Sequence, residues 1–169
     1  RAKGQGSVQN AAMAWSAPLA GAMTMPTEIK IDGTDSGNAQ VIVTRVVSSG
    51  YFETVGTQIV AGRGFQLTDT QKAPPVAIIS QAMARYYFKD ESPIGRTVAS
   101  RMGPNWGPAA QIVGVAADTH ADGLTEKPKM TMYRPDTQAN AVSTLLVRTA
   151  GWTDQLTPVV VETIRSLDP

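Results

Sequence analysis

The chain has 169 residues, 42% of them hydrophobic and 17% charged, with a net charge of +1 and no cysteine. That length and apolar content suit one domain or two small packed lobes and argue against a disordered chain. The scattered Lys and Arg form no basic stripe for nucleic acid, and the lack of Cys excludes disulfides, zinc thiolates and thiol nucleophiles.

In chain order, Val8–Trp15 reads as a small-residue strand ended by Pro18. Residues 16–39 are rich in Gly, Pro, Thr and Ser, with a short extended stretch at Glu28–Ile31 and a turn at Asp32-Gly33. Gln40–Val47 is rich in β-branched residues and predicts a strand. Ser48 or Ser49 is expected to cap a short helix through Phe52 and Val55, with Gly56 as its left-handed stop. Gln58–Ala61 predicts a short strand closed by Gly62-Arg63-Gly64. Pro74-Pro75 opens a buried strand, Val76–Ile79, and Ser80 is the expected N-cap of a helix over Gln81–Phe88. On that helix Met83, Tyr86 and Tyr87 are expected to share a face. Ser92-Pro93-Ile94-Gly95 reads as a turn. Thr97–Ala99 and Gln111–Ala116 read as strands around a loop, Gly103–Pro108. Met130–Tyr133, ended by Pro135, and Thr144–Arg148 complete the strands. Thr153–Leu167 reads as a helix whose apolar set Leu156, Val159, Val160, Ile164 and Leu167 follows i, i+3, i+4 spacing. Short helices that interrupt strands irregularly predict α+β rather than a doubly wound sheet.

No apolar run approaches the ~20 residues of a membrane helix. The opening residues Arg1–Gly6 lead into no apolar signal segment. With no initial Met and an end at Pro169, the chain reads as a piece of a longer protein.

The search for chemistry is short. His120, the one histidine, lies in Asp118-Thr119-His120-Ala121-Asp122, which can offer a metal two carboxylates and an imidazole. No HxH or HExxH spacing supports it, and a polar loop after a strand is the simpler reading. No Gly-x-Ser-x-Gly elbow singles out a nucleophilic serine. Gly62-Arg63-Gly64 lacks the spacing of a phosphate loop and reads as a turn, with Arg63 pairing a nearby acid. Asp90-Glu91 are sequence neighbours in a loop and make no spaced acid/base pair. Tyr86-Tyr87-Phe88 suits core packing better than a stacking platform. Trp106, in a loop between glycine-proline turns, is either a packed lid or a partner contact.

Four blocks then carry a resemblance. VSSGYFETVG at Val47–Gly56, followed by IVAGRGF at Ile59–Phe65, is similar to VSPGYFETLGIPLLAGRDF of the MacB-like and FtsX-like ABC permeases. Pro75–Phe88 with Asp90–Arg96 resembles VAIINEAFARRYFPGEDPIGR, and IVGVAAD at Ile112–Asp118 resembles IVGVVGDV. Met132–Pro135, with Leu146–Thr149 further on, is the fourth. The positions matching the family motif are Gly50, Tyr51, Phe52, Gly62, Arg63, Pro93, Gly95, Gly114 and Pro135, all packing or turn residues. Two departures are Ser49 in place of Pro and Gly64 in place of Asp, the latter leaving the partner of Arg63 open.

The resemblance implies a periplasmic core domain between membrane helices of a permease in the bacterial inner membrane. It implies a porter-like βαβ lobe from residues 1–20 and 141–169, incomplete here, and an inserted mostly-β Sabre-like lobe from 21–140. It implies no catalysis and no cofactor in this domain, ATP hydrolysis belonging to a cytoplasmic ATPase subunit. The domain would relay ATP-driven motion of its own membrane helices to a periplasmic adaptor, a lipoprotein or a cell-wall regulator. A homodimer in the full transporter is also implied. The alternatives are a stand-alone ligand-binding or sensor module, and an enzyme using Asp118, His120 and Asp122.

Overall fold

The computed structural model describes residues 8–17, 24–119, 128–139, 144–151 and 158. In chain order the elements are β1 (Val8–Ala14), β2 (Thr24–Thr27), β3 (Ile29–Ile31), β4 (Thr34–Asp35), β5 (Gln40–Val47), α1 (Tyr51–Val55), β6 (Ile59–Gly62), β7 (Val76–Ser80), α2 (Gln81–Phe88), β8 (Thr97–Met102), β9 (Asn105–Trp106), β10 (Ala110–Ala116), β11 (Met130–Pro135), α3 (Asp136–Ala139) and β12 (Thr144–Thr149). The strands join in the order β12-β1-β5-β11-β7-β10-β8-β3-β4, with β2 on β5, β6 on β10 and β9 on β8. The pairs β5–β11 and β7–β10 are parallel, the others antiparallel. The architecture is α+β, a mixed sheet with few helices.

β7 explains why the core divides in two. All five of its residues are buried. Val76 and Ile78 face one cluster with Val47, Tyr51, Phe52, Phe65 and Tyr133. Ala77 and Ile79 face the other with Ile29, Ile42, Met83, Phe88 and Met132. A strand covered on both faces reads as an unbroken apolar run because its period-2 alternation has no solvent side. Here α1 lies over the first face and α2 over the second.

Ser80 ends β7 and starts α2. Its Oγ accepts from Met83 N at 3.3 Å and from Thr131 N at 3.0 Å, so one hydroxyl caps the helix and ties it to β11. Along α2, Met83 and Phe88 are buried but Tyr86 is 52% exposed. The expected shared face therefore fails at Tyr86. The Tyr86 ring instead stacks edge-on against Tyr87 at 4.8 Å.

α1 starts differently from the expectation. Its N-cap is Gly50, with no side-chain cap, and neither Ser48 nor Ser49 caps it. The Ser48 hydroxyl accepts from Met13 N at 2.9 Å, drawn to a strand instead of to the helix. The stop is as expected: Gly56 has φ 74, its N–H donates to Glu53 O, and Thr57 N donates to Phe52 O.

β2, β4, β9 and α3 were not legible from the sequence. β3 and β4 form a tight hairpin because Asp32 and Gly33 both take positive φ, 48 and 79. β9 returns on β8 across Gly103, also at positive φ. Gly103–Pro108 is thus partly a hairpin, and β8 is longer than its expected three residues. Of the helix expected over Thr153–Leu167 only Pro158 is described, as helical and exposed, and the rest lies outside the described residues.

Candidate functional site

Eight of the nine motif residues fall into three places, and Pro135 lies apart at the end of β11. The first is the junction of α1 with the β1–β12 ribbon. Phe52 is 1% exposed and sits among Tyr133, Tyr51 and Phe65 at ring-centroid distances of 5.0, 5.5 and 6.2 Å. The edge-to-face geometry with Tyr133 and Tyr51 is the favourable one for aromatic pairs. Ala12 and Ala14 of β1 belong to the same cluster. A Cβ on Gly50 would lie 3.1 Å from Ala11 O, so Gly50 lets α1 approach β1. Burial pushes the Tyr133 phenol up to about 12, reinforced by Tyr51 and opposed by Arg45. It raises the Tyr51 phenol as well. These hydroxyls stay protonated at physiological pH.

The second place joins two distant blocks. Gly62 pairs with Gly114 in the β6–β10 ladder. A Cβ on Gly62 would lie 2.2 Å from Val113 O, and one on Gly114 would lie 2.2 Å from Arg63 O. The main chains touch there, and both obstacles are backbone.

Arg63 leaves this contact to meet Asp69. Its Nη1 and Nη2 donate to the two carboxylate oxygens at 2.8 and 2.9 Å. Asp69 also accepts from Gln66 N at 2.8 Å, and its carbonyl accepts from the Thr137 hydroxyl of α3 at 2.5 Å. The acid expected near Arg63 is therefore six residues on, and nothing in the spacing marked Asp69 for the role. Arg63 holds the Asp69 carboxyl below its ordinary range, with burial working against the shift and the Gln66 N–H supporting it. A lowered folded pKa gives stability that is complete above the unfolded value and is lost as pH falls through the folded one. Acid unfolding followed by circular dichroism is expected to show stability falling below roughly pH 4. That fall should be shallower in Asp69→Asn; parallel curves would remove the assignment.

The third place is the turn at Pro93-Ile94-Gly95, where Gly95 has φ 87 and its N–H donates to Ile112 O at 2.9 Å. Arg96 follows, paired with Asp32 and with Glu91. Pro135 ends β11, fully buried, and α3 begins at the next residue.

The metal reading loses one of its ligands. Asp118 accepts from Ala82 N at 2.7 Å and pairs with Arg85 Nη2 at 2.5 Å, so one oxygen serves the first turn of α2 and the other a side chain of its last turn. His120 and Asp122 lie outside the described residues. Among the described residues no group of three or more His, Asp or Glu is placed to hold a metal.

Two surface features remain. A cleft of about 620 Å³ runs beside β6, lined by Phe52, Glu53, Thr57, Gln58 and Arg63 among others. Trp106 is half-buried, with Lys30 Nζ 4.2 Å and Arg101 Cζ 5.8 Å from its ring centroid. Arg101 is itself paired with Glu28 at 2.6 Å.

The sheet matches solved structures. The periplasmic region of MacB from Actinobacillus actinomycetemcomitans is similar with TM-score 0.64 and 14% identity, covering 95% of this chain and 67% of that one. The extracellular domain of the noncanonic ABC-type transporter YknZ from Gram-positive bacteria gives 0.58 and 22%, covering 89% and 70%. A domain of a putative permease protein from Porphyromonas gingivalis gives 0.56 and 14%, covering 94% and 64%. These likenesses carry the fold. No curated protein matches the chain. The family model of the MacB-like periplasmic core domain matches residues 6–163, which takes in every motif position named above, and the chain belongs to that family.

Proposed function

We propose that this chain is the extracytoplasmic domain of an ABC-transporter permease subunit in the bacterial inner membrane, and that it transmits motion rather than catalysing a reaction. The observation that carries the reading is the α1 junction. A rigid aromatic cluster joins a two-stranded ribbon, holding residues 8–14 and 144–149, to a large doubly covered sheet. Mechanical coupling needs rigid bodies and a defined joint between them, and no nucleophile or metal. In this reading residues 1–20 and 141–169 form the porter-like lobe and 21–140 the inserted Sabre-like lobe. The motif positions Gly50, Tyr51, Phe52, Gly62, Arg63, Pro93, Gly95, Gly114 and Pro135 all fall in the inserted lobe and keep it stiff.

ATP hydrolysis is assigned to a cytoplasmic ATPase subunit, and the motion reaches a periplasmic adaptor, a lipoprotein or a cell-wall regulator. Trp106, held between cations at the β8–β9 tip, is the proposed contact with that partner.

Residues 1–169 hold no cysteine, so Leu67→Cys, at a position 81% exposed, adds one reactive thiol to this domain once any cysteines elsewhere in the full-length protein are replaced. In the full-length protein, Leu67→Cys is expected to react with a membrane-impermeant maleimide in cells whose inner membrane is intact, and the protein to copurify with an ATPase. Labelling only after the inner membrane is broken, or a full-length chain without flanking membrane helices, would sink the proposal. A photo-crosslinker at Trp106 should then capture the periplasmic partner.

A further inference from the structure

Among the described residues, the β1–β12 ribbon is attached to the rest of the sheet by little main chain. β1 pairs with β12 from Val8↔Thr149 to Ala14↔Thr144, but with β5 at one position, Ala14↔Val47. Beside that pair, Trp15 N donates to Val46 O and Ser48 N to Met13 O, both at 2.9 Å. A ribbon fixed at one corner can change its angle there, because strand twist varies widely between neighbours and a single pairing resists it weakly. Among the described residues, contacts between the ribbon and α1 then set the angle.

On the β1 side those contacts are apolar, Ala12 and Ala14 against Tyr51 and Phe52. On the β12 side Leu146 packs against the same cluster, and a hydrogen bond adds a second join. Arg148 Nε donates to Thr54 O at 2.8 Å, a carbonyl in the last turn of α1. The guanidinium also lies across Gly56, where a Cβ would come within 2.6 Å of Nη2. A cation over the last carbonyls of a helix is electrostatically favoured, and the left-handed glycine stop leaves the space for it. The acceptor is a neutral carbonyl and Arg148 is an exposed residue, so water competes for the bond. A contact of that kind opens and closes rather than locks.

We propose that Arg148 is a clasp. It holds the ribbon at one angle against the C-terminal end of α1, and its release lets the ribbon pivot about the Ala14–Val47 junction. The purpose of the clasp rests on the relay reading above; its geometry does not.

The test uses the full-length membrane protein with its ATPase in lipid nanodiscs. Nitroxides at Gln9→Cys on β1 and Gln111→Cys on β10, both exposed positions, report the ribbon-to-sheet distance by pulsed electron paramagnetic resonance. Amide exchange read by mass spectrometry reports local opening. Arg148→Gln is expected to broaden or displace the distance distribution. It should also raise exchange over residues 10–14 and 145–148 by about tenfold, with residues 76–80 unchanged. Arg148→Lys, which still brings a donor to the Thr54 carbonyl, should fall between the two. Unchanged distances and exchange in Arg148→Gln, or exchange raised equally over residues 76–80, overturn the clasp. A selective effect of Arg148→Gln, together with a wild-type distance that is the same without nucleotide and with trapped ATP, keeps the clasp and overturns the relay.

Discussion

Gly114→Ala is expected to lower stability by about 3 kcal/mol, a cost at the upper end for adding one methyl group to a packed interior. The new Cβ would stand 2.2 Å from Arg63 O and 3.3 Å from Ile78 Cγ1. The nearer atom is main chain, held in place because Arg63 N donates to Val113 O at 2.8 Å. No rotamer change relieves the clash; β6 and β10 must separate. For a chain of this length the loss corresponds to a fall of roughly 10 °C in Tm. Two other glycines calibrate the result. Gly103 has φ 62 with nothing near its absent Cβ, so Gly103→Ala carries backbone strain alone, about 1 kcal/mol. Gly64 has neither a positive φ nor a neighbour, and Gly64→Ala should lie within about 0.5 kcal/mol of the parent. Urea unfolding of the three variants reads the order directly. If Gly114→Ala unfolds no earlier than Gly64→Ala, the close approach of β6 and β10 is wrong. Gly62→Ala meets the same contact from the other strand, 2.2 Å from Val113 O and with φ 70. The double variant should therefore cost less than the sum of the two.

The pairing of Gly62 with Gly114 also shows what the sequence could and could not reveal. Each glycine was legible as a turn or packing residue in its own block. That the two blocks meet was not, because the contact lies between main chains about fifty residues apart and leaves no side-chain signature. Strong local patterns were clear: the β-branched run of β5, the apolar run of β7, the Ser80 cap and the Gly56 stop. The short strands β2, β4 and β9 were hidden because two to four residues show no periodicity, and their partners alone make them strands. Tyr86 was misplaced since helical spacing gives a face only to within one residue, and Met83 with Phe88 fills the buried stripe. Asp69 and Arg148 were missed for a related reason. Each serves a group distant in the chain or off its own pattern, Asp69 the Arg63 guanidinium and Arg148 the Thr54 carbonyl.

Phe52→Ala is expected to cost about 3–5 kcal/mol, as for other buried phenylalanines truncated in cores. Phe52 is 1% exposed and touches three aromatic rings, so the surrounding side chains cannot collapse into the space without leaving one another. Its distinguishing effect should be local. Ala12 and Ala14 share its cluster, and the ribbon meets β5 by one register pair, so loss of the ring should loosen β1 and β12 before it loosens β7. Phe88→Ala is the control. Phe88 is 5% exposed and lies in the second cluster, on the opposite face of the sheet. It should lower global stability comparably and leave amide exchange over residues 10–14 tied to global unfolding. A double cycle of Phe52→Leu with Tyr133→Leu should show coupling of about 0.5–1.5 kcal/mol, since the rings meet edge-to-face at 5.0 Å. If Phe52→Ala and Phe88→Ala prove indistinguishable in the exchange of β1, the aromatic cluster is core packing only. The joint between ribbon and sheet must then lie in the main-chain bonds around Ala14 and Val47.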